Sequence, residues 1–182
     1  MTDSAERIYE QVLVARCQTG DEAARAELVT RYHARLVYFV RRLLGDDCPI
    51  DDVLQNVWLA VFGRLPCLRS PAAFRVWLYR IARNHVCTAL RRRRRWVDLP
   101  DDDLAVPADD QPAFTREQAG LIHVCLGRLK PVHREVLVLR FVEGMAYEQI
   151  AEVVGCPVGT VRSRIHHAKS ALRHEMEARD DP

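Results

Sequence analysis

Apolar residues recur three and four positions apart along almost the whole chain, and the strict alternation expected of strands is nearly absent. The pattern predicts an all-α protein. A first helix runs over about 6–17 and stops at Gly20. Asp21 caps a second, which reaches about Leu44. Gly45-Asp46-Asp47-Cys48-Pro49 breaks the chain. From about Asp51 a third helix carries Val53, Leu54, Val57, Trp58, Val61, Phe62 and Leu65 in one wide apolar stripe. Residues 66–70 form a loop. Ser70-Pro71 then starts a fourth helix, a capping serine followed by proline at the first helical position. That helix continues into Arg91, Arg92, Arg93, Arg94 and Arg95.

The helical period then stops. WVDLPDDDLAVPADDQPAF, residues 96–114, holds three prolines, six aspartates and no glycine. It reads as an extended acidic linker. A second helical set follows over about 116–129, 131–143, 147–154 and 158–177. The organisation expected is two small helical domains, 1–95 and 115–182, without internal repeats.

Charge sharpens this division. The formal net charge is only +2, but residues 1–95 carry 17 arginines against 10 acids, the linker six acids and no base, and residues 115–182 ten bases against nine acids. Segregated charge points to parts with different electrostatic work. A basic front half suits nucleic acid, and also suits a solvated helix face.

Several function classes recede. No run of about 18 apolar residues exists to span a membrane. The polar N-terminus has no signal-peptide core, so a cytoplasmic protein is expected. The six cysteines, at 17, 48, 67, 87, 125 and 156, are scattered without CxxC, which fits buried thiols better than a zinc site. No metal, cofactor or small-molecule substrate is expected. Nor is there a phosphate-cradling glycine loop, a catalytic carboxylate pair or a nucleophile elbow, so the protein does not read as an enzyme.

The second domain reads as a helix-turn-helix. Residues 147–154 make a short amphipathic helix in which the small Ala151 admits a close neighbour. Gly155 suits the left-handed conformation of a tight turn, and Pro157 opens the next helix. There Val161, Ile165, Ala168 and Leu172 cluster on one side. Arg162, Ser163, His166, His167 and Ser170 point away from them, with Arg164 and Lys169 flanking. A docked stripe with a polar outer face is how a recognition helix enters a major groove. Arginine suits guanine, while serine and histidine adapt.

The fourth helix offers another polar face. Phe74, Trp77, Leu78, Ile81, Ala82, His85 and Ala89 fall on its core side, where His85 fits a satisfied interior histidine better than a ligand. Arg80, Arg83, Asn84, Cys87 and Arg91 fall opposite, and the arginine run extends them. Guanidinium groups bind phosphate bidentately and release counterions. Trp77 at the edge supplies the aromatic that single-stranded DNA binding uses, and Asn84 an amide for a base edge.

The motifs ARCQTGDEAARAELVTRYHARLVYFVRRLLGD, DDVLQNVWLAVF, FRVWLYRIARNHVCTALRRRRR and CPVGTVRSRIHHAKSALRHEM occur in that order. Together they closely resemble bacterial RNA polymerase sigma factors of the extracytoplasmic-function (ECF) group, over nearly the whole chain except the linker. The resemblance implies that the first domain is region 2, which binds the polymerase clamp and captures the melted −10 element. The second would be region 4, which reads the −35 element and sits on the flap. The linker would thread toward the active-site cleft, its carboxylates mimicking nucleic-acid charge; a solvated tether is the plainer reading. Asp52, Gln55 and Asn56 match the clamp-facing pattern, with Asn56 standing where the family usually has glutamate. Residues 66–70, with Arg69 and Ser70, match the place that accommodates a flipped-out −10 base. Arg80, Arg83, Asn84 and the run Arg91 to Arg95 fall where −10 contacts cluster. Arg162, Ser163 and Arg164 match the family's RSR among the −35 contacts, which extend to His166, His167 and Lys169. His167 stands where arginine is usual, so a mild pH dependence of −35 affinity is expected.

The family also implies an anti-sigma protein, often membrane-anchored, that covers both domains. No long C-terminal extension follows the recognition helix, so regulation by an added domain is not expected. Two other readings compete. A stand-alone helix-turn-helix regulator would not need the nucleic-acid face of the first domain. A helical adaptor that binds no DNA would need neither the arginine run nor RSR. Two lysines against 25 arginines suggest a GC-rich coding genome.

Overall fold

The computed structural model describes residues 2–45, 49–92 and 125–180, with side chains over 4–45, 49–92 and 125–176, and every regular element among them is helical. The chain divides into two compact units, Met1–Trp96 and Val97–Pro182. The proposed linker, Arg93, Arg94, Arg95 and most of the helix expected over 116–129 lie outside the described residues.

In the first unit, α1 spans Thr2–Gln18 and α2 spans Glu22–Leu44. Between them Asp21 accepts the Ala24 N–H at 3.0 Å, the expected N-cap. Gly45 closes α2 with φ 80°. Ala24, Leu28, Tyr32, Leu36, Phe39, Val40 and Leu43 of α2 are all buried, a helical stripe that forms the axis of the core. α3 spans Ile50–Arg64 and α4 spans Phe74–Arg92. Both pack on α2 and on each other. Edge-to-face ring pairs tie α2 to α4: Tyr32 with Phe74 at 5.5 Å and Phe39 with Tyr79 at 5.2 Å.

α4 starts later than the sequence suggests. Ser70 makes no side-chain cap; its carbonyl accepts the Ala73 N–H in a 3₁₀ turn, Pro71–Ala73, and the α-helix begins at Phe74. α4 is also buried over a wider arc than one stripe. Val76, Tyr79, Val86 and Cys87 join Leu78, Ile81 and Ala82 inside, because α2 and α3 cover it from two sides. Cys87 therefore belongs to the core and not to the polar face, while Trp77, His85 and Ala89 are only half-buried.

In the second unit α5 spans Pro131–Leu137 and runs on into a π-helical turn, Val138–Val142. The Glu143 N–H reaches back to the Val138 carbonyl at 3.0 Å, and Met145 to Leu139 at 3.0 Å. The wider turn leaves Phe141 and Val142 exposed while Leu139 and Met145 stay buried. α6 spans Tyr147–Val154 and α7 spans Val158–Asp180. α7 packs on both α5 and α6.

Candidate nucleic-acid interface

The turn between α6 and α7 has the geometry a helix-turn-helix needs. Gly155 sits at φ 75°, ψ 38°, the left-handed region where a side chain is disfavoured. Its N–H reaches the Ala151 carbonyl at 2.8 Å, and the Cys156 N–H reaches the same oxygen at 3.3 Å. At the other end of α6, the Ala146 N–H donates to Gln149 Oε1 at 3.0 Å, half of a capping box. Val161, Ile165, Ala168 and Leu172 are buried as expected and dock α7.

The outward face of α7 is narrower than the sequence indicates. Arg162, His167 and Ser170 are exposed, and Arg164 and His166 are half-buried. Ser163 and Lys169 are each only 4% exposed, so the expectations that Ser163 points away from the docked stripe and that Lys169 flanks it as a −35 contact are corrected. With α5 on one side and α6 on the other, the buried arc of α7 exceeds its apolar stripe, and polar neighbours of the stripe are taken inside. Lys169 directs its ammonium at the Phe141 ring, 5.5 Å from the centroid. Arg164 folds back, its Nη1 3.8 Å from Cys156 Sγ. His166 and His167 meet edge to face at 5.6 Å. His133 on α5 is half-buried; burial, then the charges of Lys130, His167 and Arg164, hold its imidazole below the ordinary histidine range.

In the first unit, Arg80, Asn84, Thr88, Arg91 and Arg92 are exposed along one line of α4, and half-buried Trp77 begins it. Arg83 lies off that line and is half-buried. Thr88 Oγ1 donates to the Asn84 backbone carbonyl at 2.9 Å, and Asn84 itself is exposed. His85 is half-buried, and burial, helped by Arg64, depresses its pKa. The loop before α4 holds Arg69, Ser70 and Cys67 exposed. The line from Trp77 to Arg92 is cationic, with no acid among the described residues of α4.

A third surface lies on α3. Asp52, Gln55 and Asn56 are all exposed, and the Asn56 amide donates to the Asp52 carbonyl at 2.7 Å. Leu59, 66% exposed, continues this face at the i, i+3, i+4, i+7 spacing. Leu59 is not among the clamp-facing residues expected from the sequence, although its spacing from Asp52 places it on their face. Among the described residues there is no group of three or more metal-ligating side chains, and no helix is long and apolar enough to cross a membrane. The five described cysteines are free.

Residues 28–96 match the family described as Sigma-70 region 2, and residues 119–172 match Sigma-70, region 4. The ECF RNA polymerase sigma-E factor of Haemophilus influenzae is 31% identical over 95% of this chain and 98% of its own. The chain belongs to the ECF family of RNA polymerase sigma factors. The RNA polymerase sigma-H factor of Pseudomonas aeruginosa is 34% identical over 92% of this chain and 94% of its own. The structure of CnrH in complex with the cytosolic domain of CnrY is similar with a TM-score of 0.68 at 27% identity, covering 93% of this chain and 97% of that one. A sigma factor RpoE from Bartonella quintana, solved with the anti-sigma factor NepR, shares the fold with a TM-score of 0.64 at 21% identity, over 84% of this chain and 96% of that one. As a sigma factor, the protein directs promoter-specific transcription. The region 2 match covers α3 and α4 and most of α2, which a stand-alone helix-turn-helix regulator would not carry.

Proposed function

We propose that this sigma factor divides promoter recognition between its two units. α3 meets the clamp of core RNA polymerase through Asp52, Gln55, Asn56 and Leu59. The loop 66–70 takes an extruded −10 base beside Arg69 and Ser70. The line Arg80, Asn84, Arg91 and Arg92, with Arg83 beside it, follows the −10 strand, and the run from Arg93 to Arg95 extends it. α7 reads the −35 element through Arg162, with Arg164, His166 and His167 supporting, while the second unit rests on the polymerase flap. Ser163 and Lys169 hold α7 in place and do not touch DNA. The observation that carries this reading is the pairing of two separate polar faces, one per unit, with an exposed mixed polar and apolar face on α3.

A protein partner of the anti-sigma kind completes the proposal. It is supported by the family and by the likeness to CnrH, which was solved with a domain of a second protein. Transcription in vitro tests the proposal, using core polymerase and a genomic fragment library with and without the protein. Transcripts from discrete promoters that appear only on its addition support the proposal. DNA binding without core binding or transcripts would overturn it.

A further inference from the structure

The loop that carries Arg69 and Ser70 is held from outside by the last residue of α1. Gln18 Nε2 donates to the Leu65 carbonyl at 3.0 Å and to the Leu68 carbonyl at 2.7 Å. Two carbonyl oxygens need a donor between them, so chemistry fixes which end of the amide faces them. The Leu65 carbonyl also accepts the Leu68 N–H at 3.0 Å, closing a 3₁₀ turn over Leu65–Cys67. One nitrogen therefore ties both ends of the turn from which the loop departs.

Gln18 is itself anchored. Cys17 beside it is buried. Thr19 Oγ1 donates to the Arg16 carbonyl at 2.8 Å, and Arg16 pairs with Asp21 at 2.7 Å. Asp21 in turn caps α2. Further along α1, Glu6 pairs with Arg31 at 2.7 Å, and Glu10 accepts from the Tyr32 hydroxyl. α1 also packs on the 3₁₀ turn Pro71–Ala73 at the far end of the loop. The loop thus hangs between two turns that α1 braces, and beyond the braced residues Cys67, Arg69 and Ser70 are open to solvent.

We propose that Gln18 is a positioning residue for −10 capture. It keeps the loop 66–70 ordered before DNA arrives, so that Arg69 and Ser70 meet an extruded base without first being immobilised. This rests on the reading above that the loop takes the base. Gln18 does not touch DNA; it acts through the backbone of Leu65 and Leu68.

The test uses holoenzyme assembled from core polymerase and the full chain. Affinity is measured for fork-junction DNA with a single-stranded −10 segment, each base compared with an abasic site at the same position. The ratio of the two affinities isolates the pocket, because any loss of folded protein scales both equally and cancels. Wild type is expected to favour the base by about tenfold or more at one position. In Gln18→Met, which keeps the length and removes the donor, the ratio at that position is expected to fall to about twofold. Gln18→Asn, one methylene shorter, retains the amide and is expected to fall between. If wild type distinguishes no position, the base-capturing role of the loop fails. If wild type does and both variants keep its full ratio, the positioning role of Gln18 is overturned and the base-capturing role stands.

Discussion

Lys169 Nζ lies 5.5 Å from the centre of the Phe141 ring, and the lysine is 4% exposed on α7. A cation held against an aromatic face inside the unit serves packing, not phosphate. Lys169→Gln is expected to destabilise the second unit by about 1–2 kcal/mol. The salt dependence of −35 binding is expected to stay as it is. Arg162→Gln is expected to do the reverse, with stability nearly unchanged and −35 affinity lowered by about 1–3 kcal/mol through the loss of a base contact. Salt titrations of −35 binding and thermal melts of the two variants check this together.

Gly155 has nothing within 4 Å of where a Cβ would stand, so a substitution there meets no clash. Its φ of 75° still penalises any L side chain. Gly155→Ala is expected to cost about 1–2 kcal/mol, and Gly155→Asn less, because asparagine visits the left-handed region more readily. Denaturant unfolding of the full chain reads both. Equal stability of the alanine variant would contradict the turn geometry.

Leu59 is two-thirds exposed, so replacing it disturbs little of the core. Leu59→Glu is expected to change stability by no more than about 0.5 kcal/mol. Its affinity for core polymerase is expected to fall by about tenfold, as for a contact at the centre of an interface. Competition for core against a labelled wild-type chain measures it.

His133 and His85 set a pH dependence of stability. Burial is the first cause in each, followed by Lys130, His167 and Arg164 around His133 and by Arg64 near His85. Both imidazoles hold a proton less tightly in the folded chain than in the unfolded chain, where histidine titrates near about 6.5. The unfolded state then binds more protons below that value. Stability is full above about pH 6.5 and falls as pH drops toward the depressed folded values, beneath which the loss levels off. Thermal melts between about pH 5.5 and 7.5 are expected to show the fall, smaller in His133→Gln and in His85→Gln than in wild type.

What could be read without the structure follows from how many neighbours each helix has. On α2 the apolar spacing from Leu28 to Leu43 shows the buried residues. The Asp21 cap and the Gly155 turn were also legible, because each is a local rule met within a few residues. On α4 and α7 the apolar stripe understates the buried arc, since each is covered from two sides. A wheel drawn from apolar residues alone then leaves Cys87, Ser163 and Lys169 outside when they are inside. The π-helical turn at Val138–Val142 has no spacing signal of its own. Gln18 was invisible as a brace, because its acceptors are backbone carbonyls 47 and 50 residues away.

The division of promoter reading between two units is tested most directly by selecting promoters from a library randomised at both elements. Wild-type holoenzyme is compared with Arg162→Ala and Asn84→Ala. The expected result is that Arg162→Ala relaxes preference only within the −35 element and Asn84→Ala only within the −10 element, each by about 1–3 kcal/mol at the affected position. Relaxation of the same element by both variants, or of neither element, would contradict it.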